Sequence, residues 1–122
     1  MNTYFVSFFP DSFGMRLVHG EIPGSQGRYG CVISHILAGS FIEQVEDIHE
    51  GDEVVEINGI PMAEKSDEEI QLIVGTIRED MDLCTRSYST RNMVRYRIFP
   101  KISTLENKNN LKLKFTSIRS DF

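Results

Sequence analysis

The sequence predicts a small α+β domain in which five or six strands are capped by two helices and followed by a basic C-terminal extension. Short β-branched and aromatic segments alternate with Gly, Pro and Asn turns. One stretch beginning at Ser66 has helical spacing and a strong start signal. The 122 residues, 40% apolar and 25% charged, fit one globular domain with a short addition.

The first two predicted strands flank a turn that contains a glycine. Thr3–Phe9 is strand-like, and Met15–His19 follows after the turn residues from Pro10. Between them, Phe13-Gly14-Met15 places a glycine between two large apolar residues. Such a turn can aim successive N–H groups at one point, where a carboxylate binds. A simple hairpin turn is the alternative interpretation.

The middle of the chain predicts a strand and a short helix. A glycine-rich loop over 20–30 leads into the β-branched segment Cys31–Leu37, which we expect to be a central strand. Ser40 is a good N-cap, and Glu43 completes a capping box, so a short helix is predicted through Glu46.

A strand, a tight turn and the main helix come next. Glu53–Ile57 is closed by Asn58-Gly59, a strong hairpin signal. From Ser66, with Glu69 as its capping-box partner, the apolar positions Ile70, Ile73, Val74 and Ile77 predict an amphipathic helix to about Arg78. Met81–Tyr88 is the following strand.

Charge divides the chain near residue 86. Up to Thr85 there are four basic and sixteen acidic residues, whereas from Arg86 onward there are nine basic and two acidic residues. An acidic body with a basic end favours either self-docking or an acidic or membrane partner for that end. Two solvated surfaces are the alternative.

The basic end contains two alternating segments. Val94, Tyr96 and Ile98 alternate with arginines, and a second segment alternates leucine or phenylalanine with lysine over 111–115. Pro100–Asn110 between them contains loop-forming residues. The pattern fits either a basic β-hairpin or a disordered tail, because isolated hairpins are marginal in water.

The order of these features resembles the PDZ domain family. The resemblance is carried by Phe13-Gly14-Met15, Gly30–Ser40, Gly51–Gly59 and the helix from Ser66. It implies a PDZ-like, partly open β-barrel or sandwich over residues 3–88, followed by a basic extension over 89–122. Gly14–Val18 and Glu21–Gly24 are most similar to PDZ domains of presynaptic active-zone scaffolds, which implies a cytoplasmic scaffold or adaptor, membrane-associated or synaptic through its partners.

The resemblance also implies a peptide site. In this family a partner's C-terminus adds as a strand beside the second strand of the domain, and its carboxylate binds to the glycine turn. Carried onto this chain, the peptide-binding residues are Phe13, Gly14, Met15, Arg16, Leu17, Val18, His19, Asp67, Gln71, Val74 and Ile77. The expected ligand is a C-terminal peptide with an apolar last residue.

Asp67 stands where the helix first meets this site. A carboxylate accepts hydrogen bonds, so we expect Ser, Thr or another donor two residues before the ligand's end. Asp67 also fits a purely helix-stabilising role at the positive end of the dipole. The chain's own end, Ser120-Asp121-Phe122, has the ligand form, although short motifs of this kind also arise by chance.

Other function classes fit less well. The three histidines are scattered, and Ser25 lacks the context of a nucleophile elbow, so we expect no catalysis, no cofactor and no metal. The apolar start lacks the basic region of a signal peptide, and Cys31 and Cys84 fit reduced core thiols, so a cytoplasmic protein is expected. The basic extension is the alternative site of action, through anionic lipid or self-association, and we expect no nucleic-acid partner.

Overall fold

The computed structural model describes residues 14–40, 42–77, 80–107 and 110–121 of the chain. The predicted strand Thr3–Phe9 and the turn residue Phe13 lie outside these ranges. In chain order the strands and the α-helix are β1 Met15–Glu21, β2 Tyr29–Ile36, β3 Glu53–Ile57, β4 Ile60–Pro61, α1 Asp67–Gly75, β5 Met81–Arg86, β6 Met93–Asn107 and β7 Asn110–Asp121.

The strands form an antiparallel sheet in the order β1-β2-β3-β5-β6-β7, with β4 paired to β3. Asn58 and Gly59 connect β3 to β4, and both have positive φ, as the tight turn predicted there requires. The β1–β2 ladder runs from Met15 opposite Ile36 to Glu21 opposite Tyr29. Among the described strands β1 stands at one end of the order, and its edge away from β2 faces α1.

The start of α1 follows from local capping chemistry. Ser66 Oγ accepts from the Glu69 N–H at 3.2 Å, and Glu69 Oε1 accepts from the Ser66 N–H at 3.1 Å. The Ser66 main-chain N–H first, and then the Ser66 hydroxyl, stabilise the ionised Glu69 carboxyl and hold its pKa below the usual value. The helix ends at Gly75, sooner than the expected end near Arg78, because the Thr76 N–H bonds the Ile73 and Val74 carbonyls and closes the last turn.

The second predicted helix is reduced to a single 3-10 turn at Ile42–Gln44. Ser40 caps this turn as expected, since its Oγ accepts from the Glu43 N–H at 3.2 Å. The Val45 N–H bonds the Ile42 carbonyl and the Ile48 N–H bonds the Val45 carbonyl. These three-residue steps make successive tight turns instead of an α-helix. The described residues therefore contain one α-helix and this turn where two helices were predicted.

The end of the chain is extended and paired. β6 pairs with β5 from Met93 opposite Arg86 to Ile98 opposite Met81, and it then continues to Asn107 beside β7. The loop prediction for Pro100–Asn110 is therefore wrong for its first eight residues, which belong to β6. Pairing with β7 outweighs the local turn preference and confines the connection to the residues between Asn107 and Asn110.

The core lies between the sheet and α1, and β6 contributes to it. Val94, Tyr96 and Ile98 are 8%, 2% and 0% exposed, so the predicted alternation places its apolar side in the core. The core cluster comprises Met15, Leu17, Cys31, Ile33, Ile42, Ile48, Val54, Ile57, Met62, Ile70, Val74, Ile77, Met81, Leu83, Val94, Tyr96 and Ile98.

The basic side of β6 meets acidic residues of the domain. Arg95 Nη1 lies 3.5 Å from Glu56 Oε1, and Arg97 lies 3.0 Å from Asp80 and 3.4 Å from Asp82. Two arginines of the basic end thus pair with acidic residues from the acidic part of the chain. In the part of the chain that the structure describes, no helix has the length and apolar character to cross a bilayer.

Candidate functional site

A groove runs between β1 and α1. It encloses a cavity of about 270 Å³. Its walls come from four consecutive residues of the strand and from three residues on one side of the helix. The lining residues are Met15, Arg16, Leu17, Val18, Asp67, Gln71 and Val74.

The main-chain groups of β1 alternate between β2 and the groove. The Gly14 carbonyl accepts from the Leu37 N–H at 2.8 Å, and the Arg16 carbonyl accepts from Ser34 Oγ at 3.2 Å. Even-numbered residues therefore face β2. Since the direction alternates along a strand, Leu17 and His19 direct their main-chain groups towards α1. This edge is the one that an added strand would use.

The floor of the groove is apolar. Met15, Leu17 and Val74 are 8%, 4% and 8% exposed, and all three also belong to the core cluster. They meet because β1 places alternate side chains on the core side, where α1 packs. Ile77, expected beside them, is 3% exposed and lies in the core beyond the end of the helix. The groove thus has an apolar floor beneath the β1 edge.

Two side chains of α1 bond the groove edge of β1. Asp67 Oδ1 accepts from the His19 N–H at 2.6 Å. Gln71 Nε2 donates to the Leu17 carbonyl at 3.3 Å. Both residues were predicted to lie at the site, but these main-chain contacts were not, because they depend on how closely the helix approaches the strand.

The glycine turn at the start of β1 requires Gly14. Its φ is +86°, a left-handed conformation that side chains rarely adopt. A Cβ at this position would overlap Cβ and Oγ of Ser40. Ser40 is thus a neighbour of the turn that sequence reasoning missed. The Phe13 amide of the expected carboxylate site lies outside the described residues.

An exposed aromatic contact lies near the end of β1. The rings of His19 and Tyr29 stack with centroids 5.8 Å apart and an angle of 27° between their planes. The two residues lie on adjacent strands but are separated by a glycine-rich loop, so no local sequence signal indicates the contact. It adds an exposed ring surface where the groove ends.

Two acidic residues act on a buried thiol behind the groove. Burial first, and then the charges of Glu53 and Asp67, raise the pKa of Cys31 to about 12. Cys31 lies opposite His19 in the β1–β2 ladder. The Asp67 carboxylate therefore acts electrostatically on the strand behind β1, and Arg16 is the basic residue among those that line the groove.

The end of the chain lies in the sheet. Ser120 and Asp121 belong to β7, opposite Arg95 and Val94 of β6. The last residue, Phe122, lies outside the described residues. Because β7 and β1 stand at opposite ends of the strand order, this tail would have to leave β6 before it could enter its own groove.

Most of the predicted peptide-site residues converge on the groove. Those that line it are Met15, Arg16, Leu17, Val18, Asp67, Gln71 and Val74; Gly14 forms the turn that leads into β1, and His19 joins through its main chain.

Comparison with known proteins gives consistent matches. A family model described as PDZ domain matches residues 8–83. Protein piccolo of Homo sapiens is 40% identical over 77 residues, which are 62% of this chain and 2% of that protein. Protein piccolo of Rattus norvegicus is 38% identical over 77 residues, again 62% of this chain and 2% of that protein. The chain thus spans about 2% of the length of these curated relatives.

Proposed function

Because the chain belongs to the PDZ domain family of non-catalytic protein-interaction modules, we propose that its groove binds the C-terminal segment of partner proteins. The segment adds as a strand along β1, with its carboxylate at the turn around Gly14. The observation that carries the proposal is the β1 edge that faces α1 above an apolar floor and that no other described strand pairs with. Main-chain pairing supplies affinity, and the floor and helix side chains supply selectivity.

The proposed ligand ends in an apolar residue. A side chain such as Val, Leu, Ile or Phe would contact Met15, Leu17 and Val74, which are buried apolar residues at the groove. Met15 lends adaptability, because its unbranched side chain fills gaps of different shape. Asp67 favours Ser, Thr or another donor two residues before the end.

Peptides that differ only in their C-terminal group test whether the groove binds a carboxylate. Hexapeptides with an apolar last residue are titrated against the full chain, each as the free acid and as the C-terminal amide. We expect the amide to bind at least about tenfold more weakly, because charge-assisted bonds to main-chain N–H groups are lost. Equal affinity of the two forms would contradict the proposal.

The basic end is a second candidate, with weaker support. Anionic lipid binding would use arginines and lysines after residue 88, but Arg95 and Arg97 are engaged by acidic residues of the domain. Co-sedimentation with phosphatidylserine vesicles at two salt concentrations tests it, since electrostatic binding falls as salt rises. The cytoplasmic or synaptic location expected from the sequence stays a prediction, as does occupation of a groove by the chain's own end.

A further inference from the structure

The two bonds from α1 occupy main-chain groups that an added strand needs. In antiparallel pairing, every second residue of each strand exchanges hydrogen bonds with its neighbour. A segment whose last residue reaches the turn at Gly14 would place its third residue from the end opposite Leu17 and its fifth opposite His19. These are the two residues that α1 already bonds.

Each existing bond corresponds to one ligand bond. The Leu17 carbonyl, which accepts from Gln71 at 3.3 Å, would accept the ligand's third N–H. The His19 N–H, which donates to Asp67 at 2.6 Å, would donate to the ligand's fifth carbonyl. We propose that Asp67 and Gln71 compete with the ligand for the β1 edge and thereby select ligands by length and by donor content. This inference rests on the proposed function of the groove.

The two competitors differ in strength. Gln71 is neutral, and its bond is long, so a ligand N–H replaces it with little loss. The bond to Asp67 is short and charge-assisted, which makes it the stronger of the two. A ligand of four residues displaces Gln71 alone, whereas a ligand of five or more must also displace Asp67.

A displaced Asp67 needs a new partner. If the ligand supplies a hydroxyl or a cation beside it, the carboxylate exchanges one bond for another. Asp67 is exposed in the ligand-free chain, and a bound ligand without a donor would cover its carboxylate without supplying a bond, which is unfavourable. Asp67 therefore penalises long ligands that lack a donor, in addition to rewarding those that have one.

Amide hydrogen exchange of the ligand-free chain tests the contact itself. In Asp67→Ala, exchange at His19 should rise about tenfold, the equivalent of one lost hydrogen bond. Exchange at Val18, which faces β2, should stay unchanged and serves as the internal reference. Glu68→Ala is the matched control, because it removes an acidic residue from the same first turn of α1. Unchanged His19 exchange in Asp67→Ala would overturn the inference.

Two peptides without an ammonium group and without a donor facing Asp67 test the competition. The N-acetylated hexapeptide Ser-Ile-Gln-Ala-Gly-Phe and the tetrapeptide Gln-Ala-Gly-Phe lacking its α-amino group are titrated by NMR against the wild type, Asp67→Ala, Asp67→Asn and Gln71→Ala. Asp67→Ala should bind the hexapeptide about fivefold to tenfold more tightly and leave the tetrapeptide unchanged. Gln71→Ala should bind both lengths slightly more tightly. Asp67→Asn keeps an acceptor for His19 and should lie between wild type and Asp67→Ala.

The outcomes separate the two proposals. Binding to the wild type without any gain for the hexapeptide in Asp67→Ala overturns the competition and leaves the proposed function standing. An equal gain for both lengths also overturns it, because a general charge effect would then suffice. If neither peptide binds to the wild type or to any variant, the proposed function fails and the competition fails with it.

Discussion

Arg86 of β5 lies 3.1 Å from the carboxylate of Glu53 on β3, and Glu53 is only 4% exposed. The Arg86 guanidinium also reaches Met93 Sδ at the start of β6, at 3.3 Å. One side chain therefore neutralises a buried charge and contacts the strands on both sides of β5.

Removing this arginine should destabilise the domain strongly. In Arg86→Ala the buried Glu53 carboxylate loses its counter-charge, which costs about 3 kcal/mol or more. Arg97→Ala is the matched control, because its ion pairs are half exposed and contribute less than about 1 kcal/mol. Urea unfolding measures both. The double variant Glu53→Leu with Arg86→Met should recover most of the loss, and failure to recover it would contradict this explanation.

Gly14 should be the glycine least tolerant of alanine. Gly14→Ala combines a strained φ with overlap against Ser40, whereas Gly39→Ala has similar strain in open space. We expect Gly14→Ala to lower the free energy of unfolding by at least about 1 kcal/mol more than Gly39→Ala. Thermal unfolding of the two variants measures the difference. Equal losses would show that strain alone decides, without the contact to Ser40.

Alkaline pH should destabilise the fold through Cys31. The thiol ordinarily ionises with a pKa of 9.0, and burial raises the pKa of Cys31 to about 12 in the folded chain. Above pH 9 the unfolded chain therefore loses a proton that the folded chain keeps, so stability falls between pH 9 and 12 and is unaffected below. The slope is at most about 1.4 kcal/mol per pH unit.

Cys31→Ala isolates this contribution, since other groups titrate alike in both proteins. The variant should be less stable than the wild type at pH 7, because a buried side chain is shortened, but less sensitive to pH above 9. Urea unfolding at pH 7 and pH 10.5 gives the comparison. Equal pH sensitivity in the two proteins would rule Cys31 out as the cause.

Truncation tests the predicted division at residue 88. A chain ending at Tyr88 lacks Val94, Tyr96 and Ile98, three buried side chains that contribute about 5 kcal/mol by burial. That amount approaches the whole stability of a typical domain. We therefore expect the chain ending at Tyr88 to be unfolded or aggregated, and a chain ending at Phe99 to remain folded. Circular dichroism with urea titration distinguishes them, and equal stability would favour an independent domain over 3–88.

Local signals predicted much of the fold. The start of α1 follows from Ser66 and Glu69, which contact each other, and the turn after β3 follows from Asn58 and Gly59. The end of α1 was less predictable: Ile77 continues the helical spacing, but the turn at Thr76 closes the helix first.

The remaining differences arise from contacts distant in sequence. The alternation of Val94, Tyr96 and Ile98 predicts a strand, but only the register with β5 places that strand in the core. Likewise Asp67 and Gln71 were predicted to face the ligand. Their bonds to His19 and Leu17 span 48 and 54 residues, so they depend on the packing of α1 against β1.

Tyr29 gives the molecule a built-in optical reporter. The chain contains no tryptophan, so tyrosine emission is not masked. The Tyr29 ring stacks on His19, whose main chain faces the groove. A ligand lying along β1 would alter the surroundings of that ring, one of four tyrosines in the chain, so its arrival could be followed as the difference in fluorescence between the chain and Tyr29→Phe.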